Sequence, residues 1–147
     1  MKVTRQSLRE LLLGTGPAWL QDAGLLYLRL AGSLLLLTVH GLPKILHFST
    51  EMQHIEDPFH LGRGFSLVFA IFAEVFCPLL IAAGLQVRAS CLPIVCLLAV
   101  AMFVVHPEWS IADGQFGWLL LIVFGTIALA GGGRYSIDAI ILTWIRP

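Results

Sequence analysis

The sequence predicts an all-α integral membrane protein built as a bundle of four transmembrane helices, and three observations predict it. Of the 147 residues, 58% are hydrophobic and 12% charged, against the roughly 25% charged residues of an ordinary soluble domain. Apolar stretches at about 23–42, 65–85, 89–105 and 115–130 approach the ~20 residues that an α-helix needs to cross a ~30 Å hydrocarbon core. Most of the connections between them are short, which suits antiparallel neighbours. Nine basic and nine acidic residues cancel, so there is no global field to favour nucleic acid as a partner.

Residues 1–22 form an expected cytoplasmic, amphipathic segment carrying Lys2, Arg5 and Arg9. Ser7-Leu8-Arg9-Glu10 has the spacing of a capping box, in which the serine and the glutamate each satisfy a free backbone N–H. Gly14, Gly16 and Pro17 break that piece, and Trp19 suits a membrane interface. The apolar run Leu11–Leu13 is too short for the core of a signal peptide.

The first span, about 23–42, carries Arg29 and His40, with Lys44 just beyond it. At ~100° per residue, Arg29, Ser33, Leu36, His40 and His47 share one stripe, which should face the protein because an intramembrane charge needs a partner. Gly41 and Pro43 are expected to kink or end the helix. In the long polar connection 48–64, Thr50-Glu51-Met52-Gln53 reads as a capping box for a short interfacial helix, ended by Asp57-Pro58. The second span holds one charge, Glu74, and a row of aromatics, Phe65, Phe69, Phe72 and Phe76. These pack against neighbours or lipid, or line a slot.

A tight turn at Gln86-Val87-Arg88 leads into the third span, which tolerates Pro93 in its first turn and is followed by His106-Pro107. The fourth span, about 115–130, is thinned by Gly117 and Gly125. Residues 23–133 make up the expected bundle, and 134–147 an interfacial tail too short for a fifth span. Lys2, Arg5, Arg9, Arg88, Arg134 and Arg146 fall on one side and only Arg63 in a connection on the other. The positive-inside rule therefore puts both termini in the cytoplasm. Cys77, Cys91 and Cys96 all lie in apolar stretches and read as buried side chains.

Two groups of residues could carry chemistry. Counting depth from the span ends brings Arg29 and Glu74 near one another, as a charge pair that either locks the bundle or floors a polar site. All five histidines, His40, His47, His54, His60 and His106, fall at the exterior ends of spans or in the exterior loop. His40 and His106 should reach nearly equal depth, above Glu74 and beside Lys44. Imidazoles so placed suit hydrogen bonds to a quinone-like headgroup, a metal, or haem. With no H-x-x-x-H or E-x-x-H spacing, metal and haem are the weaker readings, and no metal ligand is assigned.

Leu28-Arg29-Leu30, His40-Gly41-x-x-Lys44, an intramembrane Glu74 followed by Pro78 and Gly84, then Arg88 and Gly-Gly-Arg134-Tyr135-Ser136-Ile137-Asp138, together resemble the DoxX family of small four-span bacterial inner-membrane proteins. The resemblance covers about residues 23–140, with Gly133 and Ile137 departing from a common G-P-G-R-Y-S-L-D form. It implies a link to membrane redox chemistry, as a subunit of quinone-reducing or quinol-oxidising complexes, often beside a separate catalytic protein.

The expected function is an inner-membrane accessory subunit of a quinone-linked system. Its exterior-facing pocket would be formed by His40, Lys44, Glu74 and His106. The alternative is a non-catalytic scaffold or metal-handling partner of an exterior protein. The expected partners are the lipid bilayer and a partner protein, with self-association also admitted. The residues leave open whether the chain itself is a catalyst.

Overall fold

The computed structural model describes residues 17–145. The capping box at Ser7–Glu10 and the basic residues Lys2, Arg5, Arg9 and Arg146 lie outside them. All regular structure among the described residues is helical: α1 Ala18–Leu46, α2 Phe48–His54, α3 Arg63–Ala83, α4 Val87–Val105, α5 Gln115–Ala130 and α6 Ile137–Ile145. By length and composition α1, α3 and α4 can each cross a membrane. The 16 residues of α5 rise ~24 Å. The four pack in a ring, α1 on α3, α3 on α4, α4 on α5 and α5 back on α1. Their outer faces expose large apolar side chains such as Leu34, Val68, Phe76, Leu92 and Ile122, as a surface solvated by lipid requires. The chain is a helical-bundle membrane protein.

Each of the three long helices contains one turn wound with i→i+5 hydrogen bonding: Leu37–Gly41 in α1, Phe72–Phe76 in α3 and Ala101–Val105 at the end of α4. A proline follows each, two residues beyond the turn: Pro43, Pro78 and Pro107. A proline ring clashes with the carbonyl four residues before it and offers that carbonyl no N–H. Those carbonyls belong to Val39, Glu74 and Phe103, inside the three widened turns. The wider winding lets α1 and α3 absorb their prolines without breaking. Gly41 and Pro43 therefore do not end α1, which runs on to Leu46.

One half of the bundle is solidly packed by Leu36, Cys77, Ile81, Cys91, Ile94 and Phe124. Its end is closed by the segment after α5. Gly84 ends α3 at φ +80°, a left-handed cap that glycine adopts without strain. There Asp138 Oδ1 accepts the Gln86 N–H at 2.8 Å, and Oδ2 accepts the Val87 N–H at 3.1 Å. The Asp138 N–H in turn donates to the Gly84 carbonyl at 2.9 Å. The carboxylate thus caps the first turn of α4 from 51 residues away, satisfying donors that no residue of α4 can reach. On the same closure Asp22 Oδ1 accepts the Arg134 N–H at 2.9 Å.

At the other end the chain passes from α1 to α2 through His47 alone. The His47 carbonyl accepts the N–H groups of Thr50 and Glu51, both at 2.9 Å. Thr50 is therefore inside α2, and the capping box expected at Thr50–Gln53 does not form. Asp57 organises the rest of this connection. Its carboxylate accepts the Leu61 N–H at 3.1 Å, the Gly62 N–H at 2.8 Å and the Ser66 hydroxyl at 2.9 Å. Slight desolvation pushes the Asp57 pKa up, but those three hydrogen bonds outweigh it and hold the group below the usual carboxylate range.

Candidate functional site

Beyond the packed half, the ring of helices opens into a cavity of about 730 Å³. Its walls are mostly apolar, and His40, Lys44, Glu74 and His106 all line it. The widened turns account for the placement on two helices. His40 lies within the turn of α1 and Glu74 within that of α3. The wide turn of α4 ends at Val105, one residue before His106. Wide turns of this kind re-aim the side chains that follow and are frequent at functional sites.

Helices α1 and α3 cross very closely here. A Cβ added to Gly41 would collide with the main-chain carbonyl of Glu74 and come within 2.8 Å of Val75 Cγ2. Only hydrogen at that position lets the two wide turns touch. The contact also sets the height at which the Glu74 side chain meets α1. Lys44 Nζ lies 2.6 Å from Glu74 Oε2, with both side chains largely buried. The distance makes this a firm ion pair, although its angle falls outside hydrogen-bond geometry.

Arg29 and Glu74, expected to pair, do not. Arg29 is fully buried at the opposite end, where its Nη2 donates to the Tyr135 carbonyl at 2.7 Å. A Cβ on Gly84 would lie 2.6 Å from its Nη1. Lys44 is fifteen residues further along α1, or ~22 Å at 1.5 Å per residue, well beyond the reach of a guanidinium arm. The depth count failed because it set the start of the first span level with the end of the second; in the bundle Gly41 lies against Glu74 and Arg29 against Gly84, so Arg29 is level with the end of α3.

The stripe on α1 holds for Arg29, Ser33 and Leu36, all buried, and His40 continues it into the cavity. After the wide turn it is Lys44 that faces inward, while His47 is exposed. The aromatic row on α3 is split in the same way. Phe65 and Phe69 line the cavity, whereas Phe72 and Phe76, stacked at 5.6 Å, face outward.

His40 packs its ring on Phe116, with centroids 5.4 Å apart. Its Nε2 is buried without a hydrogen-bond partner, a state that costs free energy unless a ligand or water supplies one. His106 stacks on Trp109 at 3.8 Å, nearly parallel, with Nδ1 3.7 Å from Glu108 Oε1. The cavity also recruits His54, Glu51, Cys96 and Phe116, none of which was assigned to the site from sequence. Three prolines following His40, Glu74 and His106 at short range were the available signal for the helix irregularities. Nothing local marked Cys96 or Phe116, which arrive by packing. Asp113, also on the wall, accepts the Ser110 hydroxyl at 2.6 Å and the Ser110 N–H at 3.2 Å. Those bonds hold its pKa below the usual range.

An orphaned imidazole nitrogen and an ion pair at the wall of a mostly apolar cavity suit an amphiphile with a polar, hydrogen-bonding head. Among the described residues no three His, Cys, Asp or Glu side chains gather as a metal site. The sequence model of the DoxX family matches residues 24–107, which takes in His40, Lys44, Glu74 and His106. No curated protein and no solved structure matches the chain.

Proposed function

The chain belongs to the DoxX family, and on that premise we propose that it is the membrane-embedded accessory subunit of a quinone-linked redox system. The observation that carries this reading is the grouping of His40, Lys44, Glu74 and His106 on the wall of one apolar cavity. The cavity lies within the ~300–1,000 Å³ typical of small-molecule sites. A quinone fits its chemistry. The ring and tail are apolar like the walls, and a carbonyl oxygen would meet the buried His40 nitrogen if that nitrogen carries the proton. When bound, a quinone supplies reversible uptake of two electrons and two protons.

The chain's own residues would then have separate tasks. His40 and His106 orient the head by hydrogen bonds, each steadied by an aromatic neighbour. The Lys44 ammonium stabilises negative charge that develops beside it, where low dielectric strengthens the effect. Glu74, released from Lys44, holds or passes a proton at its Oε2. The basic residues Arg88 and Arg134 lie at the Arg29 end, while the acidic connections surround the cavity. By the positive-inside rule this orients the cavity toward the exterior of a bacterial inner membrane, with both termini cytoplasmic. Electron transfer itself falls to a partner protein docking on that side.

The test is the quinone content of the chain purified from its native membrane in mild detergent, extracted and counted per polypeptide against empty micelles. Close to one quinone per chain is expected. A content no higher than that of empty micelles would remove the reading.

A further inference from the structure

We propose that the cavity is selective by charge: its mouth admits neutral and cationic amphiphiles, binds lipophilic organic cations as ligands in their own right, and rejects anions. This rests on the cavity being a ligand site, as above, but not on the ligand being a quinone.

Four carboxylates line the cavity, Glu51, Glu56, Glu74 and Asp113, against a single lysine, Lys44. That lysine is already committed, 2.6 Å from Glu74. Glu51, Glu56 and Asp113 remain, with no arginine or second lysine among the lining residues to balance them. Arg63, the cation of the neighbouring connection, donates to the Gln53 carbonyl at 2.8 Å instead. The other titratable lining side chains outside the pair are His40, His54 and His106, together with the Cys96 thiol. Their neutral forms do not alter the sum.

Low-dielectric walls concentrate the field of such a set into the opening. Phe59, Phe65 and Trp109 line the same cavity, and aromatic faces attract cations as carboxylates do. An apolar shaft behind an acidic and aromatic entrance matches an organic cation with a large greasy body. The same entrance opposes an anion of equal size.

Tetraphenylphosphonium and tetraphenylborate, nearly equal in shape and opposite in charge, provide the probe pair. Equilibrium dialysis would use the full chain in an uncharged detergent, at pH about 7.5 and near-physiological salt, where screening acts over ~8 Å. Saturable binding of the phosphonium is expected, with the borate at least ten-fold weaker. Glu51→Gln and Glu56→Gln should each weaken the phosphonium about two- to five-fold, the scale of partly exposed charge contacts. The double variant should lose more than either. Glu108→Gln, an exposed carboxylate that is not on the wall, should change it less than two-fold.

Equal affinity for the two probes, or a double variant that binds phosphonium like the parent, overturns the proposal. Competition by a short-chain neutral quinone separates it from the functional reading. Saturable phosphonium binding that no quinone displaces leaves the charge selectivity standing and counts against the quinone. Quinone binding without any preference between the two ions does the reverse.

Discussion

Lys44 Nζ sits 2.6 Å from Glu74 Oε2, so the intramembrane carboxylate is neutralised from the cavity end of α1 and not by Arg29. Two charges withdrawn from water are worth little net, but either one left alone is costly, about 3–5 kcal/mol when fully buried. Here both side chains are more than four-fifths buried. Glu74→Gln should therefore cost about 3 kcal/mol in detergent melts, and Lys44→Met a similar amount. The double variant should recover at least half of the summed loss. Glu74→Gln with Arg29→Leu should instead be additive within about 0.5 kcal/mol. Coupling between Glu74 and Arg29 would contradict the observed geometry.

Gly41 permits the contact between the two wide turns. A methyl group there meets the main-chain carbonyl of Glu74, and a backbone group cannot rotate aside as a side chain can. Gly41→Ala should cost about 1–3 kcal/mol as overpacking. It should also shift Glu74 relative to Lys44, so that ligand retention falls in the fraction that still folds. Gly125→Ala, where an added Cβ meets nothing within 4 Å, is the control and should be neutral or slightly stabilising. A Gly41→Ala protein with parental melting and ligand content would show that the crossing is looser than described.

For the histidines the expected readout is ligand, not stability. His40→Leu and His106→Leu keep most of the side-chain volume and remove the hydrogen bond. Each should weaken the retained quinone by ~1–3 kcal/mol, or roughly five- to two-hundred-fold, with the fold intact. The control is the exposed His60, which is not among the cavity's lining residues; His60→Asn, which suits its positive φ of 54°, should leave retention unchanged. Parental retention in both span variants would take these imidazoles out of the site.

Asp138 closes the opposite end. Replacing it with alanine frees the Gln86 and Val87 amides at the start of α4 and should cost about 1–2 kcal/mol. Hydrogen exchange should accelerate at those two amides before any other part of α4. Asp138→Asn retains one acceptor and should fall between. Uniform exchange along α4 in the alanine variant would mean that the cap does not hold the helix start.

The chain alone determined the solvent in which it folds and the class of fold. Apolar stretches of bilayer length with few charges leave little besides helices, because backbone groups in lipid must be satisfied within the segment. The inward stripe Arg29–Ser33–Leu36 and the candidates His40, Lys44, Glu74 and His106 were also legible. Ionisable residues in apolar segments are few, and each demands a reason.

Pairing was decided only by the tertiary structure. Heights counted from expected span ends assume that those ends lie level. In the bundle Arg29 lies against Gly84 at the end of α3, and wide turns ahead of Pro43 and Pro78 change which residues share a face. That is how Glu74 came to Lys44, and how the aromatic row on α3 split between cavity and lipid. The roles of Tyr135 and Asp138 are contacts across more than fifty residues. No local pattern encodes such contacts, because they exist only once α3, α4 and α1 have packed and left donors at their ends for a distant acceptor to satisfy.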